Sequence, residues 1–256
     1  MRHGAATDLM DAVIWVPAKM IDGQVAADVD RQRPGAIFVD ASGARFCNEA
    51  NSYQEVGQEQ LARNHVVPAV PAWLVFDDAF RRRYAFQKGR PGVLPAEWLA
   101  GGDLAREATL DALARRCGID PGGLLATVER CNRFAATGVD EDFHRGEGAL
   151  NQVLGDPRWK PNNCLAPIAK APFYATAIYP SDVGTCGGIL TDEHARVLAE
   201  SGKPIEGLYA TGNGTATVMG RRYLGAGASI GNTCVFGYAA AQHAVGHGVG
   251  PDGQGV

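Results

Sequence analysis

The C-terminal segment Gly207-Leu208-Tyr209-Ala210-Thr211-Gly212-Asn213, followed by Met219-Gly220-Arg221-Arg222-Tyr223-Leu224-Gly225-Ala226-Gly227-Ala228-Ser229-Ile230-Gly231, constrains the chain most. It reads as a short buried strand, a glycine-rich loop and a helix beginning near Ser229. Glycine lacks a Cβ, so such a loop lets backbone N–H groups come close to a flat or anionic ligand. The segment therefore reads as half of a ligand site, and the rest of the chain must be judged by whether it supplies the other half.

The 256-residue chain is long enough for one large or two modest domains with a real core. Hydrophobic residues make up 46% and charged residues 20%, the balance of an ordinary globular protein. A net charge of -4 gives no electrostatic case for nucleic acid. Arg81-Arg82-Arg83 reads as a solvated helix face and Arg221-Arg222 as a loop anchor. The six cysteines form no CxxC pair and no histidine cluster accompanies them, so neither a zinc site nor a disulfide framework is expected. Most read as small buried apolar residues in a reducing compartment. His243 and His247 stand at helical spacing and suit a helix end better than a metal. The first residues lead into no apolar segment, and the apolar run from Ala226 to Ala241 is too broken to span a bilayer, so a cytoplasmic location is expected.

Along the chain, Thr7 to Val13 reads as the end of a helix and Trp15-Val16-Pro17 as extended backbone. Ala36–Asp40 is a strand, Ser42-Gly43 a turn, and Arg45-Phe46-Cys47 a return strand completing a hairpin. Ala72–Phe76 is a further strand, with Asp77 and Asp78 opening a helix that ends near Tyr84. Thr109 caps a helix that Gly118 stops, and Asp120-Pro121 opens a second that ends at Gly138. Residues 139–170 read as loop. Phe173–Ile178 is a strand, and Gly187–Thr191 with Ala195–Leu198 a second hairpin. The glycine-rich tail from Gly246 reads as disordered.

In order along the chain, Arg33–Val39, Gly43–Glu49, Pro172–Ala175, Gly184–Ile189 and Gly207–Gly231 carry a recognisable pattern. Together they resemble the C-terminal half of the FAD-dependent 3-ketosteroid dehydrogenase and fumarate reductase superfamily. Tyr53, just after Asn48-Glu49, and Tyr223, in Tyr-Leu-Gly-Ala-Gly, match the catalytic tyrosines of the ketosteroid branch. Fumarate reductases use an arginine as proton donor, and Ala50-Asn51-Ser52-Tyr53-Gln54 contains none. Arg45 and Glu49 read as a structural ion pair. Arg222 departs from the small residue the family places beside the tyrosine, and it would narrow the substrate entrance or favour an acidic substrate.

The resemblance implies a fold of an α+β cap (catalytic) domain plus the C-terminal return segment of an α/β FAD-binding domain. Residues 1–12 would end a helix or linker, 13–178 form the cap, 179–246 form the return segment and 247–256 a flexible tail. It implies FAD as cofactor, with Gly212, Asn213, Gly225, Ala226, Ala228, Ser229 and Ile230 against it, and a steroid or similar hydrophobic ketone as substrate. Tyr223 O–H and the Gly227 N–H would polarise the ketone oxygen, and Tyr53 would take a proton from the neighbouring carbon. The superfamily also carries a strand–GxGxxG–helix unit for the adenine and pyrophosphate. The glycine-rich tail, which holds the GxGxxG spacing at Gly248, Gly250 and Gly253, has no strand before it, so the N-terminal Rossmann-like part is expected to be missing and to be the partner. The alternatives are a fumarate- or enoate-reducing flavoprotein and a non-catalytic remnant with a steroid-sized cleft.

Overall fold

A computed structural model describes residues 4–87 and 89–246. In chain order the elements are β1 (Thr7–Asp8), β2 (Val13–Ile21), β3 (Gln24–Ala27), β4 (Ala36–Val39), α1 (Tyr53–Asn64), β5 (Ala72–Asp77), α2 (Asp78–Arg83), α3 (Ala96–Ala100) and β6 (Ala105–Glu107). There follow α4 (Leu110–Cys117), α5 (Pro121–Thr137), α6 (Ala149–Leu154), β7 (Phe173–Thr185), β8 (Gly188–Ile189), β9 (Arg196–Leu198), β10 (Pro204–Tyr209) and α7 (Ala228–Ala244). The described residues group into two compact units, 15–181 and 4–14 with 182–246.

The unit of residues 15–181 is built on a mixed-length antiparallel sheet in the order β3-β2-β7-β5-β4, with β6 added against β7. Successive side chains of a strand point to opposite faces, and both faces here are covered. Phe38, Leu74 and Phe76 face a cluster with Val56 of α1, Phe80 of α2 and Trp98 of α3. Ile37, Val39 and Val75 face Leu113 of α4 and Leu124 and Val128 of α5. That double burial explains why β4 reads as an unbroken apolar run rather than an alternating one.

The helices obey their end signals. Thr109 accepts from Ala112 N to start α4, and Gly118 ends it at φ 70°. Asp120 accepts from Gly123 N to start α5, with Pro121 in the first turn, and Gly138 ends it at φ 84°. The close packing of α5 on the turn after β4 requires glycine: a Cβ on Gly123 would lie 1.9 Å from the Ser42 carbonyl oxygen.

In the second unit, β1 pairs antiparallel with β8 and β9 with β10. Thr191 and Val197 form an antiparallel bridge, and Leu198 N donates to Leu190 O, so the expected second hairpin is present as single links rather than a ladder.

Several local expectations are corrected. Residues 7–13 are two strand ends joined by a turn, not a helix: Leu9 has φ 54°, Ala12 N donates to Leu9 O, and Thr7 and Asp8 find their backbone partners in Ile189 and Gly188. Arg45-Phe46-Cys47 forms no return strand: on the edge of β4 away from β5, Phe38 N donates to Glu49 Oε1 and Ala36 O accepts from Arg145, so side chains take the place of a ladder. The strand before the glycine-rich loop exists as β10, but most of its residues are exposed. Short helices α3 and α6 and the longer α1 fall where loops or nothing were expected. The tail 247–256, with His247, lies outside the described residues.

Leu74, fully buried at the centre of the sheet, tests this packing. Leu74→Ala is expected to lower unfolding free energy by about 2–5 kcal/mol, read as a drop in the urea midpoint with an unchanged slope.

Candidate active site

Tyr53 occupies the first position of α1 and is half-buried. The preceding Ser52 closes a capping box: Ser52 Oγ accepts from Glu55 N, and Glu55 Oε2 accepts from Ser52 N. The Ser-x-x-Glu spacing was the signal for this helix, and a scan for apolar periodicity alone passes over it.

Four further contacts hold α1 in place. Gln54 Oε1 accepts from Trp15 N at 2.6 Å. Gly57 lets the helix lie on β2, because a Cβ there would sit 2.5 Å from Trp15 Cβ. Gln60 Nε2 donates to Ala69 O and Ile178 O, and Arg63 Nε to Asp40 Oδ2 at 2.7 Å.

The loop leading into α1 is fixed by a buried charge network. Arg45 donates to both oxygens of Glu49 at 2.8 Å and to Asp140 at 2.9 and 3.2 Å. Arg145 reaches Glu49 Oε2 at 3.1 Å, Ala36 O at 2.8 Å, Arg31 O at 3.0 Å and Arg33 O at 2.9 Å. Burial alone would push the Glu49 carboxyl up, but Arg45 and Arg145 together hold it below the ordinary carboxylate value. The Asp140 carboxyl is likewise held down by Arg45 against its own burial. Arg45 and Glu49 thus form the structural pair their spacing suggested. Asn48 completes the loop, with Nδ2 donating to Phe143 O and Asn151 Oδ1, and Oδ1 accepting from Ala50 N.

Every other expected site residue lies in the second unit. Gly212 and Asn213 sit in a one-turn 3-10 helix, 212–214, with Gly212 at φ 71°. Thr185 Oγ1 donates to Asn213 O at 2.6 Å, and Thr211 Oγ1 to Thr233 O of α7 at 3.2 Å. Tyr223 is half-buried in the turn-rich stretch before α7, where Arg221 pairs with Asp11 at 2.7 Å as an anchor. Gly227, at φ 86°, is the residue before α7, and no side chain caps the first turn of that helix. Gly225, Ala226, Gly227 and Ala228 are brought together in one open concavity of about 520 Å3, with apolar walls from Val218, Leu224 and Val235. Gly212, Asn213, Tyr223, Ser229 and Ile230 are outside its lining, and the Ile230 side chain is exposed.

Two features of this unit point outward. A Cβ at Gly225, Gly227 or Gly231 would meet nothing within 4 Å, so these glycines relieve no crowding within the described chain. Gly225 and Gly227 have φ 131° and 86°, the left-handed region that favours glycine. In addition, α7 carries no Asp, Glu, Lys or Arg over 17 residues and yet has no buried residue. Tyr209 Oη bonds His243 Nδ1 at 2.7 Å and so ties its far end to β10. Among the described residues no group of side chains could hold a metal ion, and no helix is long and apolar enough to cross a membrane.

Comparison with known proteins adds the following. A sequence model described as FAD binding domain matches residues 1–230. A 3-oxosteroid 1-dehydrogenase of Mycobacterium tuberculosis is 44% identical over 94% of this chain and 44% of its own length. A 4-oxocyclohexanecarboxylate 2-dehydrogenase of Sinomonas cyclohexanicum is 38% identical over 98% of this chain and 45% of its own. Among solved structures, 3-ketosteroid delta1-dehydrogenase from Sterolibacterium denitrificans, in complex with 1,4-androstadiene-3,17-dione, matches with a TM-score of 0.90 and 43% identity over 94% of this chain and 44% of that one. The chain spans less than half the length of these relatives, and its structure matches the dehydrogenase fold over the part it spans.

The helix that carries Tyr53 also holds a titration that can be followed. Burial, and then the neighbouring Glu55 and Glu49, push the Glu59 carboxyl from an ordinary 4.5 up to about 7. Glu59 Oε2 is buried without a hydrogen-bond partner. Between those two pH values the folded protein holds a proton the unfolded chain has released, so stability falls as pH rises through the window. Glu49 and Asp140, whose values are lowered, act oppositely: their contribution is present above the ordinary carboxylate range and lost as pH falls below it. Glu59→Gln is expected to flatten the fall in thermal midpoint between pH 4.5 and 7 and to exceed the parent protein in stability above pH 7.

Proposed function

The chain belongs to the FAD binding domain family, and on that premise we propose that it is the substrate-covering and flavin-edge portion of an FAD-dependent dehydrogenase of 3-ketosteroids. The unit of residues 15–181 is read as the cap (catalytic) domain, and residues 182–246 as the returning part of the FAD-binding domain. The observation that carries this reading is α7, an apolar helix without one buried side chain, preceded by glycines whose open space serves no internal packing. Such a surface fits a cofactor and the polypeptide that encloses it better than it fits water. The adenine and pyrophosphate would be held by a strand–GxGxxG–helix unit from a further polypeptide segment, the partner in this proposal.

The residues present suit FAD at its ring end. Gly225, Ala226, Ser229 and Ile230 would present their backbone around the uncapped start of α7, where the helix dipole favours negative charge, and Ala228, whose N–H donates to Gly225 O at 3.2 Å, would pack against the ring. Gly212 and Asn213 would lie along the chain that links ring to nucleotide. Bound there, FAD supplies the hydride-accepting chemistry.

The chain's own part is to acidify and remove a proton. Tyr223 O–H and Gly227 N–H, four residues apart, would donate to the ketone oxygen. Each such donor in a water-excluded site stabilises developing negative charge by about 3–4 kcal/mol. Tyr53 Oη would accept the proton from the carbon beside the carbonyl. A tyrosine hydroxyl titrates near ~10 in water, so Tyr53 needs a neighbour that favours its ionised form, which the partner segment would provide. The two dehydrogenase relatives are named for oxidation of cyclic ketones, one a steroid and one a cyclohexane, which supports a ring ketone as the substrate class. The absence of an arginine in residues 50–54 argues against the fumarate-reducing alternative.

The test is complementation. The chain expressed alone is expected to purify without stoichiometric flavin, and joined to a segment supplying the strand–GxGxxG–helix unit it is expected to purify yellow and oxidise a 3-ketosteroid with an artificial electron acceptor. In that assembly Tyr223→Phe should lower kcat by about 10²–10³, and Tyr53→Phe should abolish turnover with flavin content unchanged. Full activity in Tyr53→Phe would overturn the assignment.

A further inference from the structure

The unit of residues 15–181 contains a second concavity that the proposed dehydrogenation does not use. It has a volume of about 630 Å3 and lies between the end of α2, the loop after α6 and the turn that precedes β4. That is the size range of small-molecule sites.

Its lining is rich in guanidinium groups. Arg83 Nε donates to Asp156 Oδ2 at 2.7 Å, and Arg158 Nε to Asp156 Oδ1 at 3.1 Å. Asp156 is therefore shared by two arginines and also accepts from Tyr84 Oη at 2.9 Å. Although burial acts to raise it, these hydrogen bonds hold its carboxyl far below the ordinary range. Arg83 is further fixed over the Trp159 ring, 5.0 Å from its centroid, and Trp159 Nε1 donates to Tyr84 Oη at 3.0 Å.

Arg33 stands on the same wall. Its Nη1 reaches only a main-chain carbonyl, Leu154 O at 3.2 Å, and among the described residues it forms no ion pair. The other carboxylate of the lining, Asp30, is matched from behind: Lys19 Nζ bridges it to Asp28, and buried Arg31 faces Asp28. The lining thus carries three guanidiniums, two of them sharing Asp156, against two carboxylates, and the excess charge is positive. Gln87 also lines the cleft, with Nε2 buried and without an acceptor.

We propose that this cleft is a binding site for a small molecule bearing an oxyanion, carboxylate or phosphate, held by Arg33, Arg83 and Arg158. Arginine is the residue suited to it, because its planar fork of N–H donors matches both groups bidentately. Sharing Asp156 pre-orients two of the forks while leaving donors unspent, which lowers the ordering cost of binding. Neither Tyr53 nor Tyr223 is part of its lining.

The test uses the full chain and two probes, inorganic phosphate and succinate, each against potassium chloride at matched ionic strength, with binding read by calorimetry and thermal midpoint. A saturable heat and a rise in midpoint are expected with at least one probe and not with chloride. The tighter probe identifies the source chemistry, a phosphorylated or a carboxylated metabolite. Arg33→Gln and, separately, Arg158→Gln should each weaken binding at least tenfold, with Arg33→Lys retaining part of it. Arg158 is mostly exposed, so its replacement leaves the fold intact and the result interpretable. No saturable response to either probe, or an unchanged affinity in both glutamine variants, would overturn the proposal.

Discussion

The contact on which the larger unit depends is the buried quartet of Arg45, Glu49, Asp140 and Arg145. Removing charges from water is costly, and a pair repays that cost only when its remaining donors and acceptors are also met. Here they nearly all are: Glu49 accepts from two arginines and from Phe38 N, and Arg145 spends its terminal nitrogens on Glu49 and three main-chain carbonyls. The quartet therefore links the backbone before and within β4 to the loop entering α1 and to the loop after α5. Apolar contacts would fill the same space, but they would not specify the direction in which residues 45–52 run. The position of Tyr53 follows from that direction.

Much of the sheet and the paired helices α4 and α5 could be read from local chemistry. Thr109, Gly118, Asp120, Pro121 and Gly138 act through the backbone of their own neighbours, so their meaning survives without tertiary context. The failures have a common cause in long-range pairing. Residues 45–47 look like a strand until the side chains of Glu49 and of Arg145, some 100 residues later, meet the edge of β4 they would have paired with. Residues 7–8 look helical until β8, near residue 188, supplies their partners. The candidate site divides the same way. Gly225, Gly227 and the start of α7 were legible from glycine spacing, whereas the capping box at Ser52 and the locking of α1 by Gln54 and Gln60 involve polar residues without periodicity. The arginine cleft was invisible because Arg33, Arg83 and Arg158 are scattered and only Asp156 gathers two of them.

The two units solve opposite problems. Residues 15–181 bury their apolar side chains on both faces of one sheet and meet buried charge with charge. The unit containing α7 leaves Val218, Leu224, Ile230, Val235 and Tyr238 exposed. Membership of an FAD-binding family gives that exposure a chemical sense, since a planar cofactor and its enclosing polypeptide would both seek apolar surface with close backbone approach.

The contact of Gly57 with Trp15 has a mechanical consequence. With no side chain between them, the helix rests directly on the strand at one point, and that point serves as a fulcrum. Tyr53 stands four residues away, about 6 Å along the axis at 1.5 Å per residue. A methyl group inserted at the fulcrum would lift the helix from the strand and carry the phenol with it. The placing of that ring is thereby set by the thickness of one hydrogen atom a full turn further along the helix.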